Sequence, residues 1–129
     1  MQYAFMCHGH ENIRATHPTT IEFTKDSALT RRGDCIAGVA ATFDPEMLSR
    51  FLNKTKVAIL LEAGNEREEL CVMPNPEFCD GHEMVIRKGS FASNRTFGTL
   101  STKGAKDINR KLVGLLRDPA AVLKVTLHD

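Results

Sequence analysis

Apolar and polar residues alternate over Gln2 to Cys7, with Tyr3, Phe5 and Cys7 on one side. They alternate again over Thr19 to Thr24, where Ile21 and Phe23 oppose Thr20, Glu22 and Thr24. A period of two is the signature of a half-buried strand. Between these runs Pro18 lacks an amide hydrogen and biases His17 towards extended backbone, which suits a bend or a sheet edge. Arg31-Arg32-Gly33-Asp34 reads as a turn feeding a strand over Cys35 to Thr42. The small residues Ala37, Gly38, Ala40 and Ala41 in that strand leave room for another backbone or a ligand to come close.

Asp44-Pro45 is a helix start, an N-cap acceptor followed by proline in the first turn, and Met47, Leu48, Phe51 and Leu52 then form an apolar face. Val57 to Ala63 and Glu69 to Met73 flank Gly64-Asn65, which predicts a hairpin with a polar, acidic loop rather than a tight two-residue turn. Asp80-Gly81 opens a strand from Glu83 to Arg87, and Arg95 to Leu100 reads as another. Ser101 or Thr102 can cap a second helix whose apolar face is Ala105, Ile108, Leu112, Leu115 and Leu116, ended by Asp118-Pro119. Val122 to His128 alternates with Leu123, Val125 and Leu127 towards the core.

About seven to eight short strands and two helices result. Because strands do not alternate with helices, the pattern predicts a mainly β (α+β) chain, an antiparallel sandwich or barrel with helical additions, and argues against a doubly wound parallel sheet. The 129 residues carry no repeat and no linker-like shift in composition, so residues 1–129 read as one domain. A chain of this size buries roughly 68% of its unfolded surface and can build a core without metal or disulfide staples.

Seventeen basic and 16 acidic side chains leave a formal charge of +1, so no overall field marks a nucleic-acid or membrane binder. The start lacks the apolar stretch of a secretion signal, since Met1 to Asn12 breaks at His8, Gly9 and His10. The longest aliphatic run, Val57 to Leu61, is far short of the roughly 18 residues of a membrane span. Cysteines at 7, 35, 71 and 79 form no C-x-x-C pair, which fits a reducing cytoplasm. None of the four carries a predicted reactive role.

Chemistry gathers early in the chain. His10 and His17 are the side chains most able to exchange a proton near neutral pH, and either could be a general base; the competing role is to tie a loop by side-chain to backbone hydrogen bonds. Glu22 shares a strand face with Thr20 and Thr24. If that face lines a cavity, a carboxylate and two hydroxyls enter it together; if it faces water, the arrangement is ordinary. Asp34 either orients the histidines or closes a turn. Arg87, Lys88 and Arg95 suit a phosphate or carboxylate, or form a solvated charged turn. His8 and His10 would point the same way on a strand and could share a metal with His17 or Glu22, but no set of three or four ligands emerges, and neither a metal nor a cofactor is assigned.

The motifs Gly9-His10-Glu11-Asn12, Ala15-Thr16-His17-Pro18-Thr19-Thr20-Ile21-Glu22, Gly33-Asp34-Cys35-Ile36, Met84-Val85-Ile86-Arg87-Lys88 and Arg95-Thr96 resemble the archaeal family known only as domain of unknown function 371. The resemblance covers almost the whole chain. It implies an archaeal origin and a jelly-roll-like β architecture with added helices, and no activity. The matching positions are Gly9, His10, Asn12, Thr16, His17, Thr19, Thr20, Glu22, Thr24, Gly33, Asp34, Cys35, Arg87, Lys88 and Arg95. The chain departs from the pattern at Pro18, where a basic residue is usual, and at Gly89-Ser90, where serine precedes an acid.

The leading expectation is a polar-pocket enzyme or ligand-binding protein for an anionic small molecule. His10, His17, Glu22 and Asp34 are its proton-transfer candidates, and Asn12, Thr19, Thr20, Arg87, Lys88 and Arg95 its substrate-binding candidates. The alternatives are an RNA- or DNA-binding module using the helix stripe Lys103, Lys106, Arg110 and Arg117, and a homo-oligomer assembled through a strand edge.

Overall fold

The structure, a computed structural model, describes residues 1–129. Its strands are β1 (Gln2–His8), β2 (Thr20–Thr24), β3 (Ile36–Gly38), β4 (Val57–Ala63), β5 (Glu66–Pro74), β6 (Glu83–Arg87), β7 (Thr96–Thr99) and β8 (Val122–His128). Helix α1 (Pro45–Ser49) lies between β3 and β4, and helix α2 (Arg110–Leu115) precedes β8. All eight strands join one sheet in the order β1-β8-β4-β5-β7-β6-β2-β3. The protein is mainly β, an eight-stranded sheet with two short helices.

The sheet is mixed and not closed. β2 with β3 and β6 with β7 run parallel, whereas the remaining neighbours are antiparallel. Alternation of side chains says nothing about strand direction, so the parallel pairs were not visible in the pattern. The two sheet edges return to each other at a single antiparallel bridge. There His8 N donates to Val39 O at 2.8 Å and Val39 N to His8 O at 2.9 Å. The sheet thus wraps its own core.

That core takes the residues the alternation assigned to it: Phe5 and Cys7 from β1, Ile21 and Phe23 from β2, and Leu123, Val125 and Leu127 from β8. Phe5 meets Phe23 and Phe43 edge to face at 5.9 and 5.5 Å between ring centres, contacts worth about 0.5–1.5 kcal/mol each beyond their burial. Gly38 is the close approach that the small residues suggested. A Cβ there would stand 2.6 Å from Cβ of Cys7, so glycine lets β3 rest against β1. The strand ends sooner than Thr42, because Ala40 turns to φ 50° and donates its amide to Asp26 O at 2.8 Å.

The helix starting at Asp44-Pro45 forms as read, with Asp44 Oδ1 accepting from Glu46 N at 2.9 Å. Two expectations change. Gly64-Asn65 is a tight two-residue turn, since Ala63 pairs directly with Glu66. Gly64 supplies φ 56° at the first turn position, as a type II′ turn requires. The acidic residues after it belong to β5, where Glu68 receives Lys103 Nζ and Asn109 N, and Glu66 receives Asn109 Nδ2.

The second helix is also interrupted. A 3₁₀ turn at Ala105–Asp107 ends where Ile108 adopts an extended ψ of 139°, and Asn109 restarts the chain as an N-cap, its Oδ1 accepting from Lys111 N and Leu112 N. Ala105, Ile108, Leu112 and Leu116 still reach the core, but Leu115 is 42% exposed. The basic stripe consequently does not exist as one helical face. Arg110 is drawn into carbonyls of Ala15, Ala105 and Ile108, and Lys103 pairs with Glu68. No helix is long and apolar enough to cross a membrane.

Candidate functional site

The polar side of β2 does not face water. Thr20, Glu22 and Thr24 are 7%, 8% and 2% exposed. The reason lies in the register: Thr20 is opposite Arg87, Glu22 opposite Val85, and Thr24 opposite Glu83. Residues directly opposite on antiparallel strands project to the same face. One face of β2 and β6 therefore collects a carboxylate, two hydroxyls, a second carboxylate and a guanidinium, while Ile21, Phe23, Met84 and Ile86 fill the core behind.

Glu22 and Glu83 are within hydrogen-bonding range of each other. Glu83 also receives Arg95 Nη1 at 3.1 Å. Arg87 donates through Nε to Thr96 Oγ1 at 3.2 Å and lays its guanidinium over the exposed Phe91 ring at 5.1 Å. From β3's side, Cys35 O accepts the Glu22 amide at 2.9 Å.

Burial pushes the Glu22 carboxyl up to about 8, and the hydrogen bond and negative charge of Glu83 act in the same sense, while Arg95 and Arg87 pull it partly back. A carboxyl group so close makes ionisation of Glu22 costly, so Glu22 keeps its proton to a higher pH than an ordinary carboxyl group. Glu22 can therefore give up or take a proton near neutral pH. The Cys35 thiol, pushed up to about 11 by burial and by the charges of Glu22 and Asp34, stays protonated there and is a poor nucleophile. Burial likewise raises the Cys7 thiol.

The structure thus gathers four of the predicted residues, Thr20, Glu22, Arg87 and Arg95, and adds Glu83 and Thr96. Thr19 touches this group at its edge, its Oγ1 3.4 Å from that of Thr20, and the others go elsewhere. His17 Nδ1 accepts from Thr19 N and Thr20 N, both at 3.1 Å, at the entry to β2. His10 Nδ1 accepts from Asn12 N at 3.0 Å, and Asn12 Nδ2 donates to Leu29 O at 2.8 Å. With Nδ1 occupied as an acceptor, each neutral ring carries its proton on Nε2 and can donate there but not accept. In this arrangement the Nδ1 atoms tie the two loops, and Nε2 is the ring nitrogen left to meet a ligand.

Asp34 acts through its backbone, its carbonyl accepting from Thr16 N at 2.9 Å and His17 N at 3.1 Å. Lys88 turns away from Arg87 towards Asp107, 3.5 Å off, and its amide donates to Thr19 O at 2.8 Å. Thr19 is exposed. His8, His10, His17 and Glu22 do not converge, and no three of the His, Cys, Asp and Glu side chains stand together as a metal site.

A family model described as domain of unknown function, DUF371, matches residues 5–129. The chain belongs to this family. The chain is also similar to the uncharacterized protein MJ0206 of Methanocaldococcus jannaschii, 33% identical over 125 residues that span 92% of this chain and 93% of the relative. The DUF371 match contains every residue of the Glu22 cluster and both histidine-tied loops. The residues of the cluster that sequence reasoning missed were Glu83 and Thr96. The strand that carries Glu83 was recognised, but nothing local said that Glu83 would stand beside Glu22.

Proposed function

We propose that this protein binds an anionic small molecule, bearing a carboxylate or phosphate, on the outer face of β2 and β6, and exchanges a proton with it through the Glu22 and Glu83 pair. The observation that carries this reading is the burial of Glu22 beside a second carboxyl group, with two arginines within reach of the same face. A purely structural β2 would leave Glu22 in water, because desolvating a carboxyl group costs stability that an apolar residue at that position would not lose. Arg95 and Arg87 supply forks for an incoming anion, and the proton held by Glu22 supplies the acid or base. Arg95 now rests on Glu83 and is 46% exposed, so a ligand anion can take that guanidinium over at little cost.

The test is a thermal-shift screen at neutral pH against phosphorylated and carboxylated metabolites, using wild type, Glu22→Gln, Arg87→Ala and Arg95→Ala. A ligand at a hundred times its dissociation constant stabilises by about 2.7 kcal/mol. A shift seen in wild type and lost in Arg87→Ala supports the reading. A screen without any shift, or one whose shifts survive Arg87→Ala and Arg95→Ala alike, refutes it.

A further inference from the structure

A second cationic site lies away from the Glu22 cluster and shares no residue with it. Glu11, Asn12, Ile13, Arg14, Arg31 and Arg117 line one open cleft of about 300 Å³. Its three arginines come from three places in the chain: the loop after β1, the turn before β3 and the segment after α2. None of their guanidinium groups makes an ion pair or a hydrogen bond within the protein, unlike those of Arg87, Arg95 and Arg110. Like charges gathered without a partner repel one another, and an arriving anion relieves that repulsion.

The walls are tied before any ligand arrives. Gly9 N donates to Ala121 O at 3.0 Å and His10 N to Leu116 O at 2.9 Å, which seats the first loop on the end of α2. A Cβ at position 9 would collide with the carbonyls of Asp118 and Leu116, so this seating needs glycine. Asn12 Nδ2 then ties the same loop to Leu29 O at 2.8 Å, next to the turn that carries Arg31, and Gly33 N closes that turn onto Thr30 O at 3.1 Å. Walls pinned in advance reduce the ordering cost of binding.

We infer that this cleft binds the phosphate group of a small, non-aromatic molecule such as a phosphorylated sugar. Three guanidinium groups and one carboxylate leave the cleft about two charges positive, the complement of a phosphate dianion. Guanidinium forks match phosphate oxygens two at a time. No aromatic side chain lines the cleft, so nothing in it stacks a nucleobase. Glu11, at the same wall, accepts hydrogen bonds from hydroxyl groups on the carbon skeleton.

The test is isothermal titration of the full chain at low salt with ribose 5-phosphate, inorganic phosphate, ribose and a short single-stranded RNA. Arg31→Ala, Arg117→Ala and Arg14→Ala are compared with Arg32→Ala, which lies outside the cleft. All four arginines are exposed, so folding should survive, and circular dichroism of each variant checks it. Ribose 5-phosphate should bind with inorganic phosphate weaker and ribose silent. Each cleft substitution should weaken binding ~10–100-fold, the loss of a charge-assisted hydrogen bond, and Arg32→Ala should leave it unchanged.

No binding by wild type overturns the proposal, as does an equal loss in Arg32→Ala. Tighter, steeply salt-dependent binding of RNA also overturns it and assigns the cleft to nucleic acid. Because Arg87→Ala and Arg95→Ala leave this cleft intact, its failure and that of the Glu22 site are read separately.

Discussion

Glu22→Gln is the substitution that tests most directly how the buried carboxyl pair is held. In the unfolded chain Glu22 returns to its ordinary 4.5, whereas in the folded protein it stands at about 8. Between those values the folded state binds more protons than the unfolded one, so this contribution to stability is fully present below 4.5 and is lost as pH rises through 8. At about 1.36 kcal/mol per unit, the whole displacement sets a ceiling of about 5 kcal/mol. From about pH 6 to 8.5 the wild type should lose about 1–3 kcal/mol of unfolding free energy, the lower figure allowing for the solvent that still reaches the Glu22 carboxyl group.

Glutamine keeps the shape, cannot ionise, and donates its amide to Glu83. The decline should therefore shrink to a few tenths of a kcal/mol, with the variant more stable than wild type at about pH 8.5. Urea denaturation monitored by circular dichroism at both pH values measures this. The buried thiols of Cys7 and Cys35 lose stability in the same direction, but from an ordinary value of 9.0 upwards, and they are present in both proteins. Equal declines in wild type and variant would refute the raised proton affinity of Glu22.

Other consequences can be checked by the same unfolding measurements. Gly9→Ala should destabilise by about 1–3 kcal/mol or more, because its methyl group meets the backbone carbonyls of Leu116 and Asp118, which cannot move aside cheaply. A neutral result would mean that the loop after β1 does not sit on the end of α2. Asn109→Ala should cost about 1–2 kcal/mol through loss of the cap on Lys111 N and Leu112 N, and an unchanged denaturation midpoint would contradict that cap. Arg110→Met should lose about 2–3 kcal/mol, since its guanidinium joins the carbonyls of Ala15, Ala105 and Ile108 across three segments. Retained stability there would show that water serves those carbonyls equally well.

Period-two patterns located β1, β2 and β8 closely, because one face of each strand must be apolar to join the core, and the turn signals at Gly64-Asn65 and Asp80-Gly81 located β4 and β6. The cap at Asp44 was equally legible, since its partners lie within two residues. What the sequence withheld was long-range. Glu22 and Glu83 meet only because β2 pairs with β6, a choice set by the whole sheet rather than by either strand. The break at Ile108 was hidden for a related reason. The apolar spacing from Ala105 to Leu116 fits a continuous helix, but Asn109 is committed to Glu66 and Glu68 of β5, so the chain restarts there. His10 and His17 were visible as polar residues in turn-rich stretches, yet only coordinates show which nitrogen accepts the backbone amides.

The pairing of β1 with β8 bears on how the molecule is assembled. The ladder that begins at Gln2 and His128 joins the first strand to be synthesised with the last of the eight. β4 also leans on β8 along Ala58 to Glu62. Until Val122 to His128 have left the ribosome, β1 lacks its ladder and one side of β4 remains open, so these two strands wait for the final one. Contacts so distant along the chain slow folding, and the waiting edges are those on which nascent copies could stick together. Stalled translation just before β8 would therefore produce a chain with most of its core residues and nowhere to close.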